Sequence, residues 1–100
     1  MAKGYWIVRI DVADLDGYQA YIKANAEAFR KFGAKFIVRG GQFEAMEGSS
    51  RSRNVVLEFS DYATALACYR SPEYQAAHAL RIGNSEADLL VIEGYDGVQP

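Results

Sequence analysis

The chain has 100 residues, half of which are hydrophobic, and this is the length of one compact domain. The formal net charge of −2, with charged residues of both signs making up 24% of the chain, argues against a nucleic-acid-binding surface. The single cysteine excludes an internal disulfide framework and suits a reducing compartment. The first residues lack the apolar stretch of a signal peptide, and no apolar run approaches the ~20 residues of a membrane span. We therefore expect one soluble cytoplasmic domain over residues 1–100, with no nucleic-acid or membrane partner.

Alternating hydrophobic residues and turn signals predict four strands separated by helical segments. The predicted strands comprise residues 5–12, 35–47, 54–59 and 87–95. A polar loop over residues 47–52 separates the second strand from the third. The order along the chain is therefore β-α-β-β-α-β, which predicts an α+β, ferredoxin-like domain with a four-stranded antiparallel sheet.

The two helical segments carry recognisable start and stop signals. Acidic or hydroxyl residues precede each apolar-periodic stretch, and glycines follow it. A serine-proline pair restarts the second segment, since serine is a good N-cap and proline suits the first helical position. In chain order these signals are Asp14, Gly33, Ser60 or Asp61, Ser71 with Pro72, and Gly83.

Two adjacent glycines, Gly40 and Gly41, interrupt the second predicted strand. Glycine inside a strand costs stability and usually marks a bulge, a bend or a close approach. One extra residue at this point would transfer Phe43 and Ala45 to the apolar parity of the strand. We therefore interpret the pair as a bulge that resets the register rather than as a phosphate-binding loop. Arg39, directly before the bend, would then face either a buried carboxylate or an empty anion pocket.

One face of the predicted sheet is entirely apolar and is expected to lie under the helices. Its residues are Trp6, Val8, Ile10 and Val12 in the first strand, then Phe36 and Val38, then Val55, Leu57 and Phe59, and finally Leu90 and Ile92. The opposite face mixes apolar with charged residues, unlike a face in contact with water. The predicted elements supply no third layer to cover that face. A second copy packed sheet against sheet would cover it, so we expect a homodimer.

The charged residues of this second face form the main candidate site. They are Arg9, Asp11, Arg39, Glu58 and Glu93. Burial at a covered face would force these groups to pair or to shift in pKa. A raised pKa would suit Glu58 or Glu93 as a general acid or base. An anionic substrate would be held by Arg39 or Arg9. The alternative is a structural ion-pair network that fixes the register of a dimer.

Further polar residues extend this candidate site. Tyr5 and Asn54 would line the same space as hydrogen-bonding groups. His78, the only histidine, suits a general base, a substrate-binding or metal-binding residue, or a polar helix residue near the surface. With one histidine and one cysteine in the chain, we expect no metal site within one subunit. The alanine-rich surroundings of Cys68 favour a small core residue over a nucleophile.

Five segments of the sequence resemble one protein family. They read GYW at residues 4–6, FIVRGG at 36–41, RNVVLEF at 53–59, YRSPEYQ at 69–75 and EGYDG at 93–97. The family they resemble is the one named domain of unknown function 1330, and the resemblance covers almost the whole chain. It implies a ferredoxin-like subunit of the dimeric α/β-barrel superfamily. That superfamily includes small oxygenases acting on aromatic substrates, haem-degrading enzymes, muconolactone isomerase-like proteins and ligand-sensing domains.

The resemblance implies no particular reaction, because the family has no settled one, and it assigns no catalytic residue. Haem-using members of the superfamily need a histidine ligand, and no match places His78 at that position, so we expect no cofactor. Our hypothesis is a small cofactor-free enzyme acting on a small anionic or aromatic metabolite. Its substrate would lie between the sheet and the helices and be oriented by Arg39 or Arg9. The alternative is a non-catalytic ligand-binding or structural homodimer.

Overall fold

A computed structural model describes residues 2–100 of the protein, in which three helices cover one face of a four-stranded antiparallel sheet. The elements in chain order are β1 (Gly4–Val12), α1 (Leu15–Phe32), β2 (Lys35–Arg39), β3 (Arg53–Phe59), α2 (Tyr62–Arg70), α3 (Pro72–Arg81) and β4 (Ser85–Glu93). The strands lie in the order β2-β3-β1-β4. This is the ferredoxin-like arrangement, with α2 and α3 together taking the place of the second helix, so the predicted fold is confirmed. Among the described helices, none is long and apolar enough to cross a membrane.

The helices begin and end where the sequence predicts because nearby side chains satisfy their free backbone groups. The Asp14 carboxylate accepts a hydrogen bond from a backbone N–H in the first turn of α1. Gly33 ends this helix in the left-handed region, with φ of 69°. At α2 the cap is Asp61 rather than Ser60, and it accepts a backbone N–H at 2.7 Å. Ser71 caps α3 in the same way, at 3.1 Å.

The core is built around Trp6, which is fully buried between β1 and the helices. Its indole N–H donates to the carbonyl of Ala65 in α2 at 2.8 Å, so the polar end of the ring is satisfied. The rings packed around it, with centroids 4.8 to 5.8 Å away, are Phe29, Phe59, Tyr69 and Tyr74. Because these rings come from α1, β3, α2 and α3, one side chain of β1 is in contact with every helix.

The second strand ends at Arg39 and not at residue 47, as the sequence predicted. Gly40 adopts a φ of 66°, which turns the chain out of the strand, while its N–H still donates to the carbonyl of Asn54 at 2.9 Å. Residues 41–49 are exposed and lie outside any helix or strand. The glycine pair therefore ends the strand, because glycine enters the left-handed region at little cost.

A β-bulge is present in β2, but it lies at Ile37 and not at the glycine pair. Phe36 lies opposite Leu57, whereas Val38 lies opposite Val56, so Ile37 is the extra residue on its strand. The bulge predicted at the glycines was therefore wrong in position. A single inserted residue exchanges the two faces of a strand for every residue that follows it.

The bulge changes the face on which Arg39 lies. Strict alternation would place Arg39 on the open face of the sheet, which is the face that no helix covers. Instead Arg39 lies opposite Val55, on the helix-facing side, together with Phe36. Val38 moves to the open face, opposite Val56. The faces predicted for Val38 and Arg39 were thus wrong.

The faces of β4 also differ from the prediction. Val91 lies opposite Trp6, so Val91 and Leu89 pack against the core, while Leu90 and Ile92 lie on the open face. The sequence assigned these residues the other way round. Both sets are apolar, so hydrophobic alternation within β4 carries no information about its faces. The pairing of β4 with β1 decides which residues of β4 face the core.

The glycine pair allows a matched test of this strand end. A Cβ at Gly40 would collide with the Arg53 guanidinium and would force alanine into the left-handed region, whereas a Cβ at Gly41 meets nothing within 4 Å. We expect Gly40→Ala to lower the free energy of unfolding by about 1–2 kcal/mol. Gly41→Ala should stay within about 0.5 kcal/mol of wild type. Urea unfolding followed by circular dichroism measures both, and equal stabilities of the two variants would contradict the assigned conformation.

Candidate ligand-binding cleft

A cleft lies between the helix-facing side of the sheet and α1. Its walls are mostly apolar and include Trp6, Phe29 and Phe36. The part of the space between the walls that the centre of a water molecule can reach is about 30 Å³. The polar side chains that line it are Tyr18, Tyr21, Asn25, Arg39 and Arg53. An apolar space with a few polar groups at its edge is typical of small-molecule sites.

The two arginines come from strand ends that meet at the cleft. Arg39 is the last residue of β2 and is exposed, with its guanidinium carbon 4.1 Å from the centre of the Phe36 ring. Arg53 is the first residue of β3 and is partly buried. Its Nε is buried and has no hydrogen-bond partner within the described chain. The two arginines therefore differ in exposure although both line the same cleft.

Neither arginine has an acidic partner among residues 2–100. The ion pairs of that part of the chain involve Lys31, which binds Glu73, and Arg51, which binds three carboxylates. No carboxylate lines the cleft among the described residues either. Two guanidinium groups beside an apolar space thus carry positive charge that no protein carboxylate neutralises.

Tyrosine hydroxyls supply the remaining polar groups near the cleft. The hydroxyls of Tyr21 and Tyr74 form a buried hydrogen bond of 2.8 Å between α1 and α3. The guanidinium of Arg81 lies 5.3 Å from the centre of the Tyr21 ring. Burial raises the pKa of Tyr18, although the guanidinium groups of Arg53 and Arg81 act in the opposite direction. Tyr18 is therefore a neutral phenol near pH 7 and can donate a hydrogen bond.

Of the seven site residues predicted from the sequence, only Arg39 lines this cleft. Glu58 lies on the open face, where it accepts a hydrogen bond from the Tyr5 hydroxyl at 3.3 Å and faces Lys35 on the neighbouring strand. Glu93 lies at the exposed end of β4. The structure thus places Glu58 on the open face and Arg39 on the helix-facing side. Glu93 lies opposite Gly4 and shares the helix-facing parity of Val91, not the open face that the sequence predicted, and it does not line the cleft.

The other predicted residues have separate surroundings. Arg9 donates to the carbonyl of Ser49 at 2.8 Å, and the Asn54 amide donates to the Ser50 hydroxyl at 3.5 Å. Both therefore contact the segment that returns to β3. His78 lies on α3 between aromatic rings, outside the cleft, and burial lowers its pKa.

Asp11 belongs to a cluster that the sequence did not reveal. The Arg51 guanidinium contacts Asp11 at 2.9 Å, Asp88 at 2.8 Å and Glu86 at 3.4 Å. The Ser52 N–H adds a hydrogen bond to Asp11, and together these contacts lower the pKa of that carboxyl. The cluster closes one end of the open face. An ion-pair network on this face was the alternative that the sequence left open. The network that the structure shows has Arg51 at its centre.

Two features of the sequence could have identified the missed cleft residues. Tyr21 and Asn25 are one turn apart on the buried face of α1, where a buried asparagine is unusual in an apolar stripe. Arg53 shares the strand parity of Val55 and Leu57, which is the core-facing parity of β3. A charged residue at a core-facing position is a functional signal.

The histidine, cysteine and acidic side chains are the groups that hold metals or activate thiols. Residues 2–100 contain no group of three or more histidine, cysteine or acidic side chains that could hold a metal ion. Cys68 is buried, and its burial raises the pKa of the thiol to about 12, so it is a thiol and not a thiolate near neutral pH. Cys68 is thus the core residue that the sequence indicated.

Comparisons with solved structures show what the chain is similar to. The RPA0582 protein of unknown function from Rhodopseudomonas palustris aligns with a TM-score of 0.76 and 15% identity, over 99% of this chain and 85% of that one. SnoaB of Streptomyces nogalater, a cofactor-independent oxygenase, aligns with a TM-score of 0.63 and 10% identity over the full length of both chains. A dimeric ferredoxin-like protein of unknown function from Thermobifida fusca aligns with a TM-score of 0.54 and 15% identity, over 91% and 92% of the two chains. At these identities the likeness shows the fold alone.

The sequence itself settles the family. No curated protein matches the chain. A family model does match, and it extends over residues 3–95, which include both cleft arginines and all four strands. The chain therefore belongs to the family described as domain of unknown function (DUF1330), and its fold is ferredoxin-like.

Proposed function

We propose that this protein is a small cofactor-free enzyme that binds an anionic or aromatic metabolite in the cleft between the sheet and α1. One observation carries this proposal: Arg39 and Arg53 line an apolar cleft and have no acidic partner in the described chain. Arg53 is partly buried, and such charges are normally paired, so an external anion is its natural partner. Apolar walls complement the rest of such a metabolite.

The cleft residues have distinct roles in this proposal. Arg39 and Arg53 supply the positive charge that attracts an anionic ligand. Tyr18 and Tyr21 are the hydroxyl groups that can donate a proton or a hydrogen bond to a substrate oxygen. The fold of SnoaB, which is a cofactor-independent oxygenase, supports the idea that such a subunit performs chemistry without a cofactor.

Ligand entry requires side-chain movement at the mouth of the cleft. The centre of a water molecule reaches only about 30 Å³ of the space, which is far less than a ring compound needs. Phe36 is 37% exposed and Arg39 is exposed, so both can move outward without opening the core. We therefore infer that these two side chains make room for the ligand.

We also propose that two subunits pack through the open face of the sheet. A row of apolar side chains crosses all four strands there, and its members are Val38, Val56, Ile7 and Leu90. Leu90 is 50% exposed and Val38 is 42% exposed. A continuous apolar row of this kind marks an interface. The similarity to a dimeric ferredoxin-like protein supports the same assembly.

The open face also has polar groups that would set the register of two subunits. Glu58 and Tyr5 form one polar row beside the apolar row, and Arg9 with Asp88 forms another. We assign Glu58 and Arg9 to this interface rather than to catalysis. The free, buried thiol of Cys68 is in keeping with a reducing compartment, and we infer a cytoplasmic location.

The ligand proposal is tested with a library of small anionic and aromatic metabolites in thermal-shift assays. We expect at least one compound to raise the melting temperature of wild type. Arg39→Met should weaken its binding by about tenfold or more, because one of the two cations that attract the ligand is lost. Arg70→Met, on the exposed side of α2, is the matched control and should bind like wild type.

Mass spectrometry of the incubated compound then shows whether it is converted, as an enzyme requires. Unchanged binding in the Arg39 variant would contradict the assignment of the cleft. Binding without conversion would favour the non-catalytic alternative.

The dimer proposal is tested by a pair of charge substitutions. Leu90 on the open face and Leu80 on α3 are similarly exposed, at 50% and 47%. We expect Leu90→Glu to convert a dimer into a monomer, because it buries a carboxylate in the apolar row. Leu80→Glu should remain dimeric. Analytical ultracentrifugation gives the masses and circular dichroism confirms folding. A monomeric wild type, or equal behaviour of the two variants, would contradict the interface.

A further inference from the structure

Arg53 carries a hydrogen-bond donor that the described chain leaves unused. Its Nε is buried and finds no acceptor among residues 2–100. Buried donors are nearly always satisfied, and each exception calls for an explanation such as an absent ligand. Because the same side chain lines the cleft, an acceptor supplied by a ligand would satisfy it. Arg53 therefore differs from the exposed Arg39, because it offers a buried, unused donor to a ligand.

The backbone holds Arg53 in place from one side. The guanidinium lies against Gly40, where any Cβ would collide with it. The N–H of Gly40 is bonded to the carbonyl of Asn54, the neighbour of Arg53, at 2.9 Å. The glycine that ends β2 thus leaves room for the arginine that begins β3. The Tyr18 hydroxyl lies close enough for the Arg53 guanidinium to affect its pKa.

Arg39 is arranged differently, over an aromatic ring. Its guanidinium carbon lies 4.1 Å from the centre of the Phe36 ring, which is stacking distance. The guanidinium is planar and keeps its charge, so it stacks equally well on a flat ligand. An aromatic ring that entered beside Phe36 would meet the same flat, exposed group.

We propose that the ligand is a planar aromatic carboxylate, whose carboxylate accepts hydrogen bonds from Arg53 and Tyr18 while Arg39 stacks on its ring. This inference rests on the proposed function, because it specifies the ligand of the same cleft. Arg53 is then the residue that selects the anion. Arg39 is the residue that favours a flat body over a bulky one.

The donors in the cleft fit a carboxylate better than a phosphate. A guanidinium presents two parallel N–H groups that match the two oxygens of a carboxylate. Phosphate sites commonly add backbone N–H groups from a helix N-terminus. In α1, the helix beside the cleft, the Asp14 carboxylate already caps that end. The part of α1 that lines the cleft begins at Tyr18, whose N–H is already bonded to the carbonyl of Asp14, so the helix offers no free N–H groups to a phosphate there.

Isothermal titration calorimetry of the full chain tests the proposal with five probes. They are benzoate, 2-naphthoate, benzamide, cyclohexanecarboxylate and phenyl phosphate. We expect an aromatic carboxylate to bind about tenfold or more tightly than benzamide, which lacks the charge. It should also bind more tightly than cyclohexanecarboxylate, which lacks the flat ring, and than phenyl phosphate.

Matched variants separate the roles of the side chains. Arg53→Lys keeps the charge but loses the two-pronged geometry, so it should weaken 2-naphthoate binding by about tenfold. Arg70→Lys makes the same exchange on α2 and should have no effect. Tyr18→Phe should weaken binding by roughly two- to tenfold. Circular dichroism shows that each variant is folded.

The outcomes distinguish this inference from the proposed function. Binding of another metabolite with Arg39 dependence, but of neither benzoate nor 2-naphthoate, would overturn the inference and leave the function in place. Tighter binding of phenyl phosphate would overturn the choice of anion. Equal affinities of wild type and Arg53→Lys would overturn the role of Arg53. If no library compound and no probe binds, both proposals fail.

Discussion

The site depends on one inserted residue in an edge strand. Ile37 is the bulged residue of β2, and it places Phe36 and Arg39 on the same, helix-facing side of the sheet. In a regular strand, residues three apart lie on opposite faces. The stacking of Arg39 on Phe36 is therefore a direct consequence of the bulge. The bulge likewise accounts for the positive charge of Arg39 at the mouth of the cleft.

The bulge also shapes the other side of the sheet. Val38 moves to the open face and completes the apolar row with Val56, Ile7 and Leu90. One local irregularity thus gives the cleft one of its two cations and adds Val38 to the apolar residues of the open face. Bulges commonly re-aim side chains near functional sites. The two sides of the sheet also differ in charge. On the open side three carboxylates neutralise Arg51, whereas no carboxylate of residues 2–100 forms an ion pair with the cleft arginines.

Local signals in the sequence predicted the elements well, because their causes are local. Asp14, Gly33 and Ser71 act on backbone groups within one turn of themselves, so their roles follow from the adjacent residues. The order of elements, and hence the fold, follows from these signals and from strand alternation. The glycine pair was recognised as a feature, but the positive φ of Gly40 ends the strand instead of resetting its register.

Register and faces could not be predicted in the same way, because they depend on pairing between distant residues. Leu89 and Leu90 are equally apolar, and only the pairing of β4 with β1 shows which one faces the core. The extra residue at Ile37 has no glycine or proline to mark it. With Arg39 and Glu93 assigned to the wrong face, the predicted site was placed on the open side of the sheet and missed Arg53. The charge of Arg53 at a core-facing position was the signal available.

Nuclear magnetic resonance of the arginine side chains tests the central claim most directly. Titration with 2-naphthoate is followed through the Nε–Hε signals of all arginines and the backbone amides of α1. The account predicts that the signals of Arg39 and Arg53 shift together with the amides near Tyr18 and Asn25, while Arg9 on the open face stays unchanged. Shifts confined to Arg9 and the open face, with Arg39 and Arg53 unaffected, would contradict it.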